Sequence, residues 1–486
     1  MSPSSKSSMI ATEFGLDQVN VSLMEGPDAT KDNDSQTQKT IPLIISPRWD
    51  DSLSFLCIWL VKNRAWVDEQ ILVYGAVLLR GFQVDSPVHF ERATLALQPN
   101  LCDAYRGTSP RTLQPNTKYA FSAADVPVNY PIAQHLEMSF LKSPPRHLYF
   151  GCMKASSTPG GETALCDFRK VYQDISPQLR QKLQSKKIKY TRTHYKVGEK
   201  YTYDVGAMLG WPMLFGTSDK QKVETIVQQE EAPAIHWTGP NNDTFVQEWI
   251  DEPFQRHPVT NEMVWFNHSQ VFHWTTFPME LFYAFCRVKD VHLLLHFLVV
   301  SIFCFIKYGL LGYKMALNTT FGDGTPITFR EMNEIRSAIH RNLVFSRWKK
   351  GDILCIDNFS TSHGRQPTYD KGRKVIVAWS HPQDKTSPPD TSRIEMVSTL
   401  PMSSNFTKSL SSDEDENPPG AVPISPDSSP ENTLTSVEAH QLSESLFTHR
   451  LASAIGKASR RRRLQSCPSM LQFDSEFWTN TVASSE

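Results

Sequence analysis

Gly351-Asp352-Ile353-Leu354-Cys355-Ile356-Asp357-Asn358-Phe359-Ser360-Thr361-Ser362-His363-Gly364-Arg365 is the stretch on which the reading of this chain turns. The Gly-Asp pair marks a turn, the apolar run after it suits a short buried strand, and a polar loop then presents His363. Further on, Arg373 opens Arg373-Lys374-Val375-Ile376-Val377-Ala378-Trp379, a β-branched run that would aim its guanidinium from a rigid element. Such a fork suits bidentate binding of a carboxylate.

The upstream counterpart is His135-Leu136-Glu137. Residues i and i+2 of an extended strand project from one side, so His135 and Glu137 could bind one metal, which a helix would forbid. The preceding Asn129-Tyr130-Pro131-Ile132-Ala133-Gln134 contains a proline and no helical period, which favours extended backbone. Two imidazoles and one carboxylate suit ferrous iron with open positions for substrate and dioxygen. A second triplet, His89-Phe90-Glu91, follows the Ser86-Pro87 helix start and reads as helix surface.

With these residues in view, the chain resembles the taurine dioxygenase/TfdA-like family of iron(II)- and 2-oxoglutarate-dependent oxygenases, in its His-x-Glu branch of clavaminate synthase-like and SyrP-like proteins. The resemblance runs from about Ile41 to Pro382 and rests on blocks in the family's order. These include Gly75 to Phe82, Tyr105 to Arg111, His135 to Phe140, Gly160-Gly161-Glu162-Thr163, Val264 to His268, Phe321 to Gly324 and Gly351 to Arg373. It implies a mainly β fold with helical insertions, the double-stranded β-helix or jelly roll. His135, Glu137 and His363 would hold Fe(II), while Arg373 and Thr163 would take the far carboxylate of 2-oxoglutarate.

The implied reaction consumes O2, hydroxylates an unactivated carbon of a small polar molecule and releases succinate and CO2. Glu137 argues against halogenation, since related halogenases leave that ligand position open for chloride. Val377 stands where taurine dioxygenase has a second arginine, so a sulfonate substrate is not expected. Tyr105, Arg111 and His268 are candidate substrate contacts. The alternative is a non-catalytic jelly-roll protein that binds or regulates through its tail.

The 486 residues carry 50 basic and 51 acidic side chains, a balance that gives no signal for nucleic acid. Eight cysteines are scattered without a Cys-x-x-Cys pair, which speaks against a disulfide framework and for reduced thiols. No secretory or transit pattern opens the sequence, so a cytoplasmic location is expected, with mitochondrial or membrane-associated placement as alternatives.

Residues 1–40 read as disordered, 41–382 as the dioxygenase domain and 383–486 as a disordered Ser/Pro-rich tail. Strands are predicted over Gln70–Phe82, Arg146–Lys154, Glu162–Asp167 and Lys187–Tyr195, and helices behind Asp167, Ser176 and Ser218. In the tail, 437–457 carries a partial helical stripe ahead of the basic cluster 460–463. Ser466 lies in a stretch resembling a phosphoserine site for 14-3-3-type adaptors.

The segment 291–313 is almost continuously apolar and long enough to cross a bilayer. A single crossing would put His135 and Glu137 on the opposite side from His363. It is therefore read as a buried or interfacial helix, with membrane contact or a segment foreign to the fold as alternatives.

Overall fold

Gly351, at φ 88°, turns the chain into strand β15 (Ile353–Asp357), which is buried on both faces and lies in the middle of the larger of two facing sheets. A computed structural model describes residues 15–24, 41–103, 105, 111–123, 127–195, 210–229 and 234–384. All of them fall in one compact unit.

The larger sheet has the order β1 (Val19–Leu23), β2 (Leu43–Pro47), β3 (Ala76–Leu79), β15, β6 (His147–Lys154), β17 (Lys374–Trp379) and β4 (Phe121–Ser122). Only its β2–β3 pair is parallel. The smaller sheet has the order β14 (Leu343–Ser346), β7 (Thr163–Asp167), β16 (Thr361–Arg365) and β5 (Ile132–His135), antiparallel throughout.

Alternation along the strands decides what each face buries. Leu78, Leu148, Phe150, Leu354, Ile356, Val377 and Trp379 meet Leu165 of the smaller sheet in one core cluster. The opposite set of the larger sheet, including Val77, Leu79, Tyr149 and Ile376, packs on Leu56, Trp59, Ile71 and Phe90 of three helices. Cys166 and Phe168 of the smaller sheet's side pack on Ile335 and Ile339 of helix Phe329–Arg341. Two facing sheets with helices on their outer faces form the expected jelly roll. A third sheet, β13 (Leu317–Phe321), β8 (Ile188–His194), β10 (Thr244–Asp251) and β9 (Ala234–Thr238), adds Tyr190 and Trp249 to the cluster around Phe140.

Strands β6, β7 and β8 lie where expected, and so do the helices capped by Asp167, Ser176 and Ser86. Glu91, on the last of these, accepts from the backbone N–H groups of Lys118 and Tyr119. Four expectations need correction. Gln70–Tyr74 is the end of helix Arg64–Tyr74, stopped by Gly75 at φ 73°, and only Ala76–Leu79 is strand. Asp219, rather than Ser218, caps helix Lys220–Gln229, its carboxylate accepting from the N–H groups of Gln221 and Lys222.

Within 1–40, residues 15–24 are ordered, because Val19 is buried and β1 pairs with β2 while the Trp59 indole bonds to the Gly15 carbonyl. The apolar segment forms helix Val291–Cys304 and a π-helical turn, Phe305–Leu310, yet it is mostly exposed rather than buried. The rest of 1–40, the tail helix 437–457, the cluster 460–463 and Ser466 lie outside the described residues.

The turn joining β15 to β16 is fixed by Asp357, which is fully buried and accepts from His257 Nε2 at 2.9 Å, from the Ser360 hydroxyl and from the Phe359 N–H. His257 Nδ1 accepts from the N–H groups of Val259 and Thr260, so Nε2 carries the proton. Burial alone would raise the Asp357 pKa, but His257, with Arg146 and His147 nearby, holds it well below the usual range. The Asp357→Ala variant is expected to lose about 3 kcal/mol of unfolding free energy in urea, since it strands a buried imidazole N–H. A depressed folded pKa stabilises above the unfolded value, so this contribution is present above about pH 4 and disappears on acidification below it.

Candidate functional site

β5 ends at His135, and Glu137 lies in the tight turn that follows, where Met138 takes φ 56°. Strand alternation therefore does not by itself bring Glu137 beside His135. The bond is made by Asn358, whose side chain accepts from the Glu137 N–H at 2.7 Å and donates to the Glu137 carbonyl at 3.0 Å. A second amide hydrogen of Asn358 reaches the Pro145 carbonyl, so the side chain is held on three sides.

His363 is presented by strand β16 rather than by a loop, because the polar connection from β15 is a tight turn over Asn358–Ser360. It stands directly opposite His135 in the β5–β16 pairing. Opposed residues project from the same face, so the two imidazoles meet with ring centres 4.3 Å apart. Glu137 Oε2 lies 3.7 Å from His135 Nε2 and 3.6 Å from His363 Nε2. Among the described residues these three form the one cluster able to hold a metal ion.

The protonation states suit a cation. His135 Nδ1 faces the Ala133 carbonyl at 2.9 Å, so Nδ1 is the donor there and Nε2 is the ring atom aimed at Glu137. Burial, followed by the charge of His135, pushes His363 down to about 4, so its ring is neutral at physiological pH. Its buried Nδ1 has no hydrogen-bond partner, and the ring is committed to no other role. For Glu137, burial raises the pKa, but Arg111 and the two imidazoles outweigh it and the carboxyl stays ionised.

Tyr105 and Arg111 both reach that carboxylate. Arg111 Nη2 donates to Glu137 Oε2 at 2.9 Å and the Tyr105 hydroxyl donates to Oε1 at 3.1 Å. The guanidinium also lies 4.7 Å from the centre of the Tyr105 ring and bonds to the Ala123 carbonyl. Burial pushes the phenol up to about 12, which keeps its proton available for donation. Both residues thus support the Glu137 side chain, a role that ligand chemistry in the sequence did not indicate. His268 is buried, with its Nδ1 at 3.1 Å from the Ser139 hydroxyl and its ring packed on His135 and Phe140, so it forms the wall behind His135.

Thr163 opens β7 opposite Arg365 and accepts from the Trp348 indole at 3.2 Å. Arg373 immediately precedes β17 and donates from Nε to the Gly161 carbonyl at 2.6 Å, two residues before Thr163. This approach depends on glycine, because Gly161 has φ 76° and a Cβ there would stand 2.9 Å from Arg373 Cδ. Burial lowers the Arg373 pKa to about 10; burial, then the charge of Arg373, lowers Arg365 to about 9. Arg373, leading into the larger sheet, thus reaches across to the loop that opens Thr163's strand in the smaller sheet, with the buried guanidinium of Arg365 nearby.

Asn358 and Arg365 were missed by ligand chemistry. Asn358 follows an aspartate at a strand end, which signals a turn but not a clamp. Arg365 lies two residues beyond His363 on the same strand face, and that period could have pointed to it.

The model of the taurine catabolism dioxygenase TauD, TfdA family matches residues 52–379. The dapdiamide synthesis protein DdaC of Enterobacter agglomerans is 26% identical over 318 residues, covering 65% of this chain and 85% of that protein. The clavaminate synthase-like protein At3g21360 of Arabidopsis thaliana is 25% identical over 354 residues, with coverage of 70% and 93%. The solved structure of PvcB, an Fe, alpha-ketoglutarate dependent oxygenase from an isonitrile synthetic pathway, has 12% identity and a TM-score of 0.40, covering 75% of this chain and 92% of its own. Since the family match spans well over half of the sequence, from the first outer helix to the last strand of the larger sheet, this chain belongs to the TauD/TfdA family and is an oxidoreductase of the iron(II)- and 2-oxoglutarate-dependent dioxygenases.

Proposed function

We propose that this dioxygenase hydroxylates an unactivated carbon of a small polar substrate, with His135, Glu137 and His363 as the iron ligands and Thr163 and Arg373 as the 2-oxoglutarate clamp. The observation that carries the reading is the placement of two imidazole Nε2 atoms within 3.7 Å of one ionised carboxylate oxygen, at the edge of a rigid sheet pair. Iron(II) bound there would let O2 act as the oxidant, one oxygen atom going into a C–H bond of the substrate and the other into succinate as 2-oxoglutarate loses CO2.

The chain's own residues prepare that site before any ligand arrives. Asn358 fixes the Glu137 backbone and Arg111 and Tyr105 fix its carboxylate, which is the kind of support that orients ligands and tunes a metal. Arg373 of the larger sheet and Arg365 of the smaller one approach closely enough to repel, and a dicarboxylate would relieve that repulsion. Val377 points into the sandwich core, which supports the expectation that no second arginine awaits a sulfonate from that position.

Anaerobic titration with ferrous iron and 2-oxoglutarate should produce the charge-transfer absorption of the chelated cosubstrate in wild type and none in His135→Ala. Arg373→Ala should retain iron but raise the dissociation constant of 2-oxoglutarate by about 10- to 100-fold, the loss of one or two charge-assisted bonds. No band in folded wild type would overturn the site assignment and favour a non-catalytic role. A screen of polar amino acids and betaines for substrate-dependent succinate release, with a product heavier by one oxygen, tests the substrate class.

Arg111→Gln should weaken binding of Co(II), used as a spectroscopic stand-in for iron, by about 10- to 100-fold, with partial recovery in Arg111→Lys. Tighter Co(II) binding in Arg111→Gln would show instead that the guanidinium competes with the metal.

A further inference from the structure

Helix Val291–Cys304 and the π-helical turn after it form a 20-residue arm long and apolar enough to cross a membrane, yet little of it is buried in the fold. Val291, Leu295, Leu298, Ile302, Phe305, Ile306 and Leu310 are each between 45% and 70% exposed. They recur every three or four residues and so form one continuous stripe. Leu311 and Tyr313 extend it past the helix end. A contiguous apolar face of this length exceeds what soluble monomers ordinarily leave in water and marks an interaction surface.

The other side of the helix is committed to the fold. Leu293 packs with Leu281 and Ala284 of helix Thr276–Val288, and Cys304 and Tyr308 pack with Met315, Trp274 and Phe277. Asp290 caps the helix and accepts from the Tyr369 hydroxyl at 3.0 Å, while His296 Nε2 lies 3.4 Å from the Tyr130 hydroxyl. Tyr130 precedes the strand that ends at His135, and Tyr369 lies on the connection leading to Arg373. The apolar arm is therefore bound to two loops that carry the site.

The topology settles how such a face can meet a membrane. The sequence before the arm supplies β5 and the sequence after it supplies β16, and these two strands are paired at His135 and His363. A single crossing would have to separate them, so the arm can lie in a bilayer surface but cannot pass through it.

The charge around the stripe selects the partner. Between Arg287 and Lys314 the sequence has four basic residues and a single acid; Arg287 pairs with Glu162 and Asp290 caps the helix, so the basic character of the rim comes from Lys289, Lys307 and Lys314. Two copies of this arm facing each other would bring like charges together, whereas anionic headgroups would meet them with opposite sign. Tyr313 at the end of the stripe is a residue type that settles at the headgroup level.

We propose that the exposed face of the Val291–Leu310 arm, with its basic rim, docks in the plane of an anionic lipid bilayer and holds the catalytic domain against it. This docking does not depend on the oxygenase assignment. The test is co-sedimentation of the full chain with unilamellar vesicles of phosphatidylcholine alone and of phosphatidylcholine doped with phosphatidylserine.

Wild type should pellet with the anionic vesicles and bind the neutral ones about tenfold or more weakly, with the difference shrinking at high salt. The exposed double variant Leu298→Asp/Ile302→Asp should lose vesicle binding by about tenfold or more while keeping the wild-type unfolding transition. Lys289→Gln/Lys314→Gln leaves the apolar stripe intact, so it reports independently of any folding defect in the first variant. It should lose the preference for phosphatidylserine.

Absence of wild-type binding to either vesicle would overturn the proposal. So would equal binding by the folded aspartate variant, or an undiminished phosphatidylserine preference in the glutamine variant. A wild-type dimer in light scattering that the aspartate variant reduces to monomer would show that the stripe covers a second copy of the chain instead.

Discussion

The site depends on one side chain that is not a ligand. Asn358 bonds both the N–H and the carbonyl of Glu137, 221 residues away in sequence, and a third bond to Pro145 leaves it no freedom to move. Strand pairing alone brings His363 opposite His135, since register fixes which residues face each other. It does not bring Glu137, because β5 has already ended. The Asp357–His257 contact stiffens the same turn from behind, so buried polar bonding and sheet register act together on three side chains.

Charge explains why this cluster stays assembled without collapsing on itself. Desolvation would raise a buried carboxylate toward protonation, and Arg111, with the two imidazoles, reverses that. The opposite excess occurs where Arg365 of the smaller sheet and Arg373 of the larger one come close enough to repel. Burial and the neighbouring guanidinium both disfavour the charge on Arg365, and its bonds to the Pro127 and Tyr130 carbonyls offset part of that cost. The apolar arm Val291–Leu310 poses the reverse problem, an apolar surface facing water, and its basic rim limits which neighbours could cover it.

Sequence reading recovered much of this architecture because local chemistry was strong. Gly351-Asp352 before an apolar run could only be a turn into a buried strand, and Ser86-Pro87 and Ser176-Pro177 are caps with a fixed first turn. It failed where two local signals overlapped or where a partner far away decided the outcome. The apolar run from Gln70 fits strand and helix alike until Gly75 ends it, and Val19–Leu23 looked loose because the strand it pairs with lies beyond a polar stretch.

By itself the sequence determined which chemistry is available: two histidines, a carboxylate, a threonine and an arginine in an order that a family pattern shares. Residue types carry ligand chemistry wherever they stand, so that much needs no coordinates. Only the tertiary structure decided that Arg111 and Tyr105 grip Glu137, that Asn358 substitutes for strand geometry, and that the most apolar segment of the domain lies on its surface. Each of these depends on distance between residues remote in the chain, and no periodicity or spacing encodes that distance.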